Sequence, residues 1–228
     1  MIFGMDQLGI FAKYWQPGAV KTRLAATVGE AAASQVYRRF LITMLRRFDH
    51  VAERRVLAFT PPDQRAEFAL LAADAWTLQD QGAGDLGMRM QNYFTAAFRS
   101  GADRVVLIGS DSPTLPPDCV KAAFQLLETF PVVLGPAEDG GYYLVGAAGE
   151  VPPIFAGVAW STPVVWNQTQ SLLQAAGCPC GVLPMWYDVD DLPGLRRMHQ
   201  ELADRPPVDE ALRQLHKEVA RVLDDHHE

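Results

Sequence analysis

The chain has 228 residues, of which 49% are hydrophobic and 21% charged, and carries a formal net charge of −7. That length and composition are enough for one sizeable core, and the acidic balance disfavours nucleic acid, whose binding rests on cationic neutralisation of phosphates. No apolar run approaches the roughly 20 residues of a membrane span, and no signal-peptide pattern opens the chain, so a soluble, cytoplasmic protein is expected.

Three cysteines, Cys119, Cys178 and Cys180, are too few and too scattered for a disulfide framework. Cys178 and Cys180 are a weak zinc signal, because zinc takes about four ligands and no second Cys or His cluster lies near. The tail Asp224 to Glu228 reads as a frayed, solvated end.

Residues 1–6 read as an extension without a role, and Leu8 to Ala12 as the first strand. The loop that follows, Lys13 to Leu24, holds a Pro17-Gly18 turn and the cations Lys13, Lys21 and Arg23. Such a loop at a strand's end suits phosphate, with the backbone at Gly18 close to the ligand and the cations neutralising charge; a solvated basic loop is the alternative. Glu30 to Phe48 has one apolar face at helical spacing. Val56 to Phe59 is a strand stopped by Pro61-Pro62, Asp63 to Ala73 a helix, and Ala75 to Leu78 a weak strand.

Gly82, Gly84 and Gly87 fit the dinucleotide fingerprint, with a helix from Leu86 to Ser100 behind them. The strand before them is weak, however, and Asp85 would set a carboxylate where pyrophosphate should approach. A loop against a base or ribose fits better, with Gly82, Gly84 and Asp85 as nucleotide-binding residues; a helix cap by Asp85 is the alternative.

Val105 to Ile108 is an apolar run of the kind buried on both faces of a parallel sheet, and Asp111 stands just past its end. A turn cap is the simpler reading of Asp111 in isolation. A helix through Phe130 and a strand from Pro131 to Pro136 follow. Glu138, Asp139, Gly140 and Gly141 then stand at a strand's end before an aromatic strand, either as an acceptor-binding loop or as an Asp-Gly hairpin. Trp160, Ser161 and Thr162 precede Pro163, with Thr162 as a candidate cap of a helix to about Ala176 and Trp160 as a pocket wall. After a strand at Val182 to Pro184, Asp188 and Asp190 alternate in an extended segment and so face one way. Helices at Leu192 to Ala203 and Val208 to Asp225 close the chain.

Strand and helix alternate along the chain, the pattern of a three-layer α/β/α domain with a mostly parallel twisted sheet. The cations of the first loop, the glycines near Asp85, and Asp111, Glu138-Asp139 and Asp188-Asp190 all follow strands, so in a parallel sheet they collect on one edge. Asp111 and Asp190 at about 4 Å would repel by roughly 4 kcal/mol at an effective dielectric near 20, and a divalent cation between them would turn repulsion into affinity. Mg²⁺ or Mn²⁺ suits hard carboxylate ligands shared with substrate phosphates. The expected metal set is Asp111, Asp190 and Asp188, with Lys21, Asp111 and Asp139 as the catalytic candidates.

The stretches Phe11 to Leu24, Gly82 to Gly87, Gly109 to Pro113, Gly135 to Tyr143, Trp160 to Thr162 and Trp186 to Asp190 resemble the DUF2064 family. These bacterial transferases, also described as rSAM/selenodomain-associated transferases, belong to the nucleotide-diphospho-sugar transferase (GT-A) superfamily. The resemblance spans roughly residues 8–198, leaving a C-terminal helical extension within a single domain of residues 1–228. Lys21 to Leu24 is similar to phospholactate guanylyltransferases, and Asp188-Val189-Asp190 to the Asp-Val-Asp-Thr-Pro ending of nucleotidyltransferases, although Asp191-Leu192 stands here in place of Thr-Pro. The resemblance implies a GT-A fold, a nucleotide-type substrate with a small-molecule acceptor, and a divalent metal. It leaves open glycosyl transfer from a nucleotide sugar, nucleotidyl transfer from a nucleoside triphosphate, or nucleotide or partner binding without turnover.

Overall fold

The computed structural model describes residues 4–207 and 209–225. Its sheet has seven strands in the order β3-β2-β1-β4-β6-β5-β7: β1 (Asp6–Lys13), β2 (Arg54–Thr60), β3 (Thr77–Asp80), β4 (Arg104–Ile108), β5 (Val132–Pro136), β6 (Tyr142–Ala148) and β7 (Cys180–Val182). β6 runs antiparallel to both its neighbours, β4 and β5, while the pairs β1–β2, β1–β4, β2–β3 and β5–β7 are parallel.

Alternation along β4 sorts its side chains between two cores. Val106 and Ile108 join Leu8, Ile10, Tyr37, Leu41 and Phe124 on one face, under α2 (Glu30–Arg47), α3 (Arg65–Ala72) and α5 (Pro117–Leu126). Val105 and Leu107 join Met90, Tyr93, Phe94 and Leu173 on the other, under α4 (Leu86–Arg99) and α6 (Val165–Ala175). A third apolar cluster binds α1 (Thr22–Val28) and α2 to α7 (Leu192–Asp204) and α8 (Glu210–Asp224), through Leu24, Phe40, Met198, Leu215 and Val219. No described helix is long and apolar enough to cross a membrane.

Several local expectations change. Residues 4–6 are tied in: Asp6 opens β1 and accepts from Arg104 Nε and Nη2 at 2.6 and 3.0 Å. Thr22 to Val28 forms a seven-residue helix, α1, too short to show apolar periodicity. Thr162 does not cap α6, which begins at Val165; its hydroxyl instead donates to the Ala159 carbonyl at 2.6 Å. The three cysteines are free thiols. Of the tail, His226 to Glu228 lie outside the described residues, as does Val208 at the expected start of the last helix.

From β1 the chain winds outward through β2 and β3, and from β4 it winds the other way. The carboxyl ends of β1 and β4 therefore flank the point where the topology reverses, which is where open α/β sheets bind ligands.

Candidate active site

Tyr37, reaching up from α2, fixes the floor of that crevice. Its hydroxyl accepts from the Lys13 amide at 3.0 Å and shares a 2.7 Å hydrogen bond with Ser110 Oγ. It thereby ties the end of β1 to the turn after β4. Burial, reinforced by the Asp111 charge, pushes the Tyr37 phenol up to about 12, so it stays neutral. The sequence shows Tyr37 only as one member of an apolar helix face.

Above this floor, the Lys21 ammonium is ion-paired to both Asp111 and Asp190, the latter at 2.9 Å. The Lys21 side chain is 3% exposed, whereas Asp111 and Asp190 are 42% and 40% exposed. Burial alone would lower the lysine's basicity; the two carboxylates outweigh it and raise it above the ordinary value. Lys21 is held with φ 48°, in the left-handed region, at the entry to α1. It also lies 5.6 Å from the Phe40 ring centroid.

Asp188 stands beside the pair but is engaged differently. Ser112 Oγ donates to its Oδ1, and burial and the Asp111 charge push its carboxyl up to about 7. Among the described residues no three His, Cys, Asp or Glu side chains gather in a metal-holding group. Asp111 and Asp190, however, already share one cation, the Lys21 ammonium, and are half-exposed hard oxygen donors of the kind that suits a divalent cation such as Mg²⁺ or Mn²⁺. The expected third ligand, Asp188, is turned to Ser112 in this geometry.

Two lobes open from the aspartates. One, of about 590 Å³, is bordered by Lys13, Lys21, Gln81, Gly84, Asp85 and Arg89. Here Asp85 caps α4, accepting from the Met88 amide at 2.8 Å, and Arg89 Nε donates to the Gly84 carbonyl at 2.9 Å. Buried Gln81 donates to the Ala12 and Ala58 carbonyls, pinning this loop to β1 and β2. Asp80 holds the Gly82 amide. The Gly82/Gly84/Gly87 pattern is not a dinucleotide turn: a Cβ on Gly87 would sit 2.5 Å from Trp160 Nε1, so that glycine admits the indole against α4. Gly18 lies beyond this lobe, where an added Cβ would meet the Glu30 carboxylate.

The second lobe, of about 460 Å³, is walled by Phe11, Met90, Tyr142, Trp160 and Val165, with Arg23, Asp139, Ser161 and Thr162 among its polar residues. Tyr142 and Trp160 meet edge to face, their centroids 6.1 Å apart. Ala137 to Gly141 is a hairpin turn joining β5 to β6, closed by the Ala137 amide on the Gly141 carbonyl at 3.1 Å. Hairpin and ligand-facing loop thus coincide, because Asp139 lines the cavity while its Oδ1 accepts the Gly141 amide at 2.9 Å. Gly140 has φ +90°, and a Cβ there would lie 2.3 Å from the Pro163 carbonyl, so only glycine lets the hairpin dock on the segment before α6. Glu138 is taken up by Arg197, whose Nη1 and Nη2 donate to it at 2.7 and 3.1 Å, and that guanidinium holds its carboxyl below the ordinary value. Ser112 and Arg197 escape sequence reading because each gains its meaning from a partner far along the chain.

The model of the DUF2064 family, described as an uncharacterized protein conserved in bacteria, matches residues 43–162. No curated protein matches the sequence. Among solved structures, a candidate nucleotide-diphospho-sugar transferase from Desulfovibrio desulfuricans G20 is 30% identical over 97% of each chain, with a TM-score of 0.88. The inositol-1-phosphate CTP transferase of T. maritima is 12% identical over 95% of this chain and 96% of its own, with a TM-score of 0.56. A CMP:2-keto-3-deoxy-manno-octonic acid synthetase complexed with CTP is 16% identical over 88% of this chain and 99% of its own, with a TM-score of 0.53. At those identities the last two share the fold. The chain belongs to the DUF2064 family and has the nucleotide-diphospho-sugar transferase (GT-A) fold.

Proposed function

We propose that this protein is a divalent-metal-dependent transferase that moves the nucleotidyl group of a nucleoside triphosphate to a small-molecule acceptor and releases pyrophosphate. The observation that carries this reading is the Lys21–Asp111–Asp190 cluster at the topological switch point, with Lys13 and Arg89 beside it on one side and a separate lobe on the other. In this transfer an acceptor oxygen bonds to the α-phosphorus, the bond from that phosphorus to the α–β bridging oxygen breaks, and pyrophosphate leaves with the electron pair. Lys13 and Lys21 neutralise charge on the leaving group, each charge-assisted contact contributing about 1.5–3 kcal/mol. Mg²⁺ or Mn²⁺ held by Asp111 and Asp190 supplies Lewis-acid stabilisation of the phosphoryl oxygens when bound. Two fold neighbours are named for CTP or its transfer, which agrees with this chemistry.

Glycosyl transfer from a nucleotide sugar is the second reading, favoured by the name of the D. desulfuricans relative and by Asp139 on the acceptor-side wall. There Asp139 takes the acceptor's hydroxyl proton while that oxygen bonds to the anomeric carbon and the nucleoside diphosphate departs. A screen of nucleoside triphosphates and nucleotide sugars for thermal stabilisation, with Mg²⁺ or Mn²⁺, separates the two. Larger stabilisation by a triphosphate supports nucleotidyl transfer, and larger stabilisation by a nucleotide sugar favours glycosyl transfer. Metal-independent binding with no turnover of the best ligand would leave a nucleotide sensor.

A further inference from the structure

The lobe on the acceptor side shares Phe11, Leu86 and Tyr142 with the lobe on the nucleotide side and adds Met90, Trp160 and Val165, which make it the more apolar-walled of the two. Those six residues form an apolar wall over part of its lining, while Asp111, Asp139, Asp188, Asp190 and Ser161 bring the polar share. Two of its polar groups are already committed, since the Thr162 hydroxyl donates to the Ala159 carbonyl and Asp139 Oδ1 accepts from the Gly141 amide. Arg23 is the contrast. It is exposed on the first turn of α1, lines this lobe, and has no carboxylate partner among the described residues. Leu86, 41% exposed, adds apolar surface at the rim, and so does Val164, 44% exposed beside the wall residues Pro163 and Val165.

A polyhydroxylated acceptor brings hydroxyls that must each shed water, and a carbon wall returns no hydrogen bonds for them. An apolar ring loses nothing by the same move and gains the faces of Trp160 and Tyr142. The unpaired guanidinium at the mouth asks for the complementary feature, an anion suited to its donor fork.

We infer that the acceptor is an amphipathic phosphate ester, its apolar body lying against Trp160 and Tyr142 and its phosphate held by Arg23 beside Asp111 and Asp190. This inference rests on the transferase reading, from which the lobe takes its acceptor role, and it adds the substrate's chemical class.

Calorimetry on the full chain with Mg²⁺ tests it, using phenyl phosphate and glycerol 3-phosphate as probes of similar charge and opposite body. Phenyl phosphate is expected to bind at least tenfold more tightly. Trp160→Ala should remove most of that preference, and Leu86→Asn, at an exposed position that does not endanger folding, should reduce it severalfold; Arg23→Gln should weaken both probes about fivefold or more. Equal affinities, or a preference for glycerol 3-phosphate, would overturn the inference. So would competition between phenyl phosphate and a Mg²⁺–nucleoside triphosphate, because the apolar lobe would then hold the nucleobase. A protein that prefers phenyl phosphate yet binds no nucleoside triphosphate would sink the transferase reading while upholding the chemistry of this lobe.

Discussion

Lys21 does at residue scale what the sequence reading reserved for a metal: it neutralises Asp111 and Asp190 together. Two carboxylates in contact with one ammonium repel strongly once it is removed, by several kcal/mol at the effective dielectric of a partly buried site. Lys21→Met is therefore expected to destabilise the apo protein by about 1–3 kcal/mol, less than the loss of one partner from a fully buried pair because both carboxylates remain solvated. The same substitution should tighten the binding of Mg²⁺ alone, since the resident competitor is gone, and weaken triphosphate binding more than nucleoside binding. Urea unfolding with and without Mg²⁺ checks the first pair of effects. If Mg²⁺ stabilises the variant no more than the wild type, Asp111 and Asp190 are not a metal pair. Asp111→Asn gives the complementary result: the fold is kept, and calorimetry should show Mg²⁺-dependent nucleotide binding lost.

The element that backs this cluster is α7, which starts two residues after Asp190. Asp191 caps it by accepting from the Gly194 amide at 2.9 Å, and Leu195, Met198 and Leu202 bury its inner face against α1, α2 and α8. Asp191→Ala should cost about 1 kcal/mol. Met198→Ala leaves a cavity in the cluster that holds both the Lys21-bearing end of α1 and the start of α7, so about 2–5 kcal/mol of stability should go, together with some nucleotide affinity. Urea midpoints and calorimetry measure the two losses; unchanged affinity would mean that the helical annex is not coupled to the site. Between α7 and α8, the rings of His199 and His216 lie tilted at 44° with centroids 4.5 Å apart, and among the described residues buried His199 Nδ1 and His216 Nε2 have no hydrogen-bond partner. Burial and the neighbouring His199 lower the basicity of His216 below its usual value of 6.5. The unfolded chain then takes up this proton first, so the contribution of His216 is complete above pH 6.5 and declines as pH falls through its lowered folded value. His216→Gln should flatten that part of the urea midpoint profile between pH 7.5 and 5.5, and an unaltered profile would assign the slope to other groups.

At the scale of the molecule, the alternation of strand and helix was legible because the buried strands are short apolar runs and the longer covering helices each show one apolar face. Asp111, Asp139, Asp188 and Asp190 were placed on one edge by the rule that loops after parallel strands converge, and the structure brings them into one crevice. Three features were not legible. The short α1 lacks periodicity, the role of Asp188 depends on Ser112 from 76 residues away, and the pairing of Glu138 depends on Arg197 from 59 residues away. Such pairings are set by tertiary placement, to which local pattern is blind. The crevice itself spans the sheet's two halves: Lys13, Gln81 and Arg89 come from the β1–β3 half, and Asp111, Asp139 and Asp190 follow β4, β5 and β7. A ligand that bridges both halves binds only the assembled crevice, so its binding energy adds to global stability. At 100 times its dissociation constant, a triphosphate with Mg²⁺ should stabilise by about 2.7 kcal/mol, which for a chain of this size raises Tm by roughly 5–10 °C. Chelation of the metal should remove most of that shift, because Asp111 and Asp190 would again repel the phosphates. A shift that survives chelation would place the triphosphate on the cations alone and would remove the metal from the proposed chemistry.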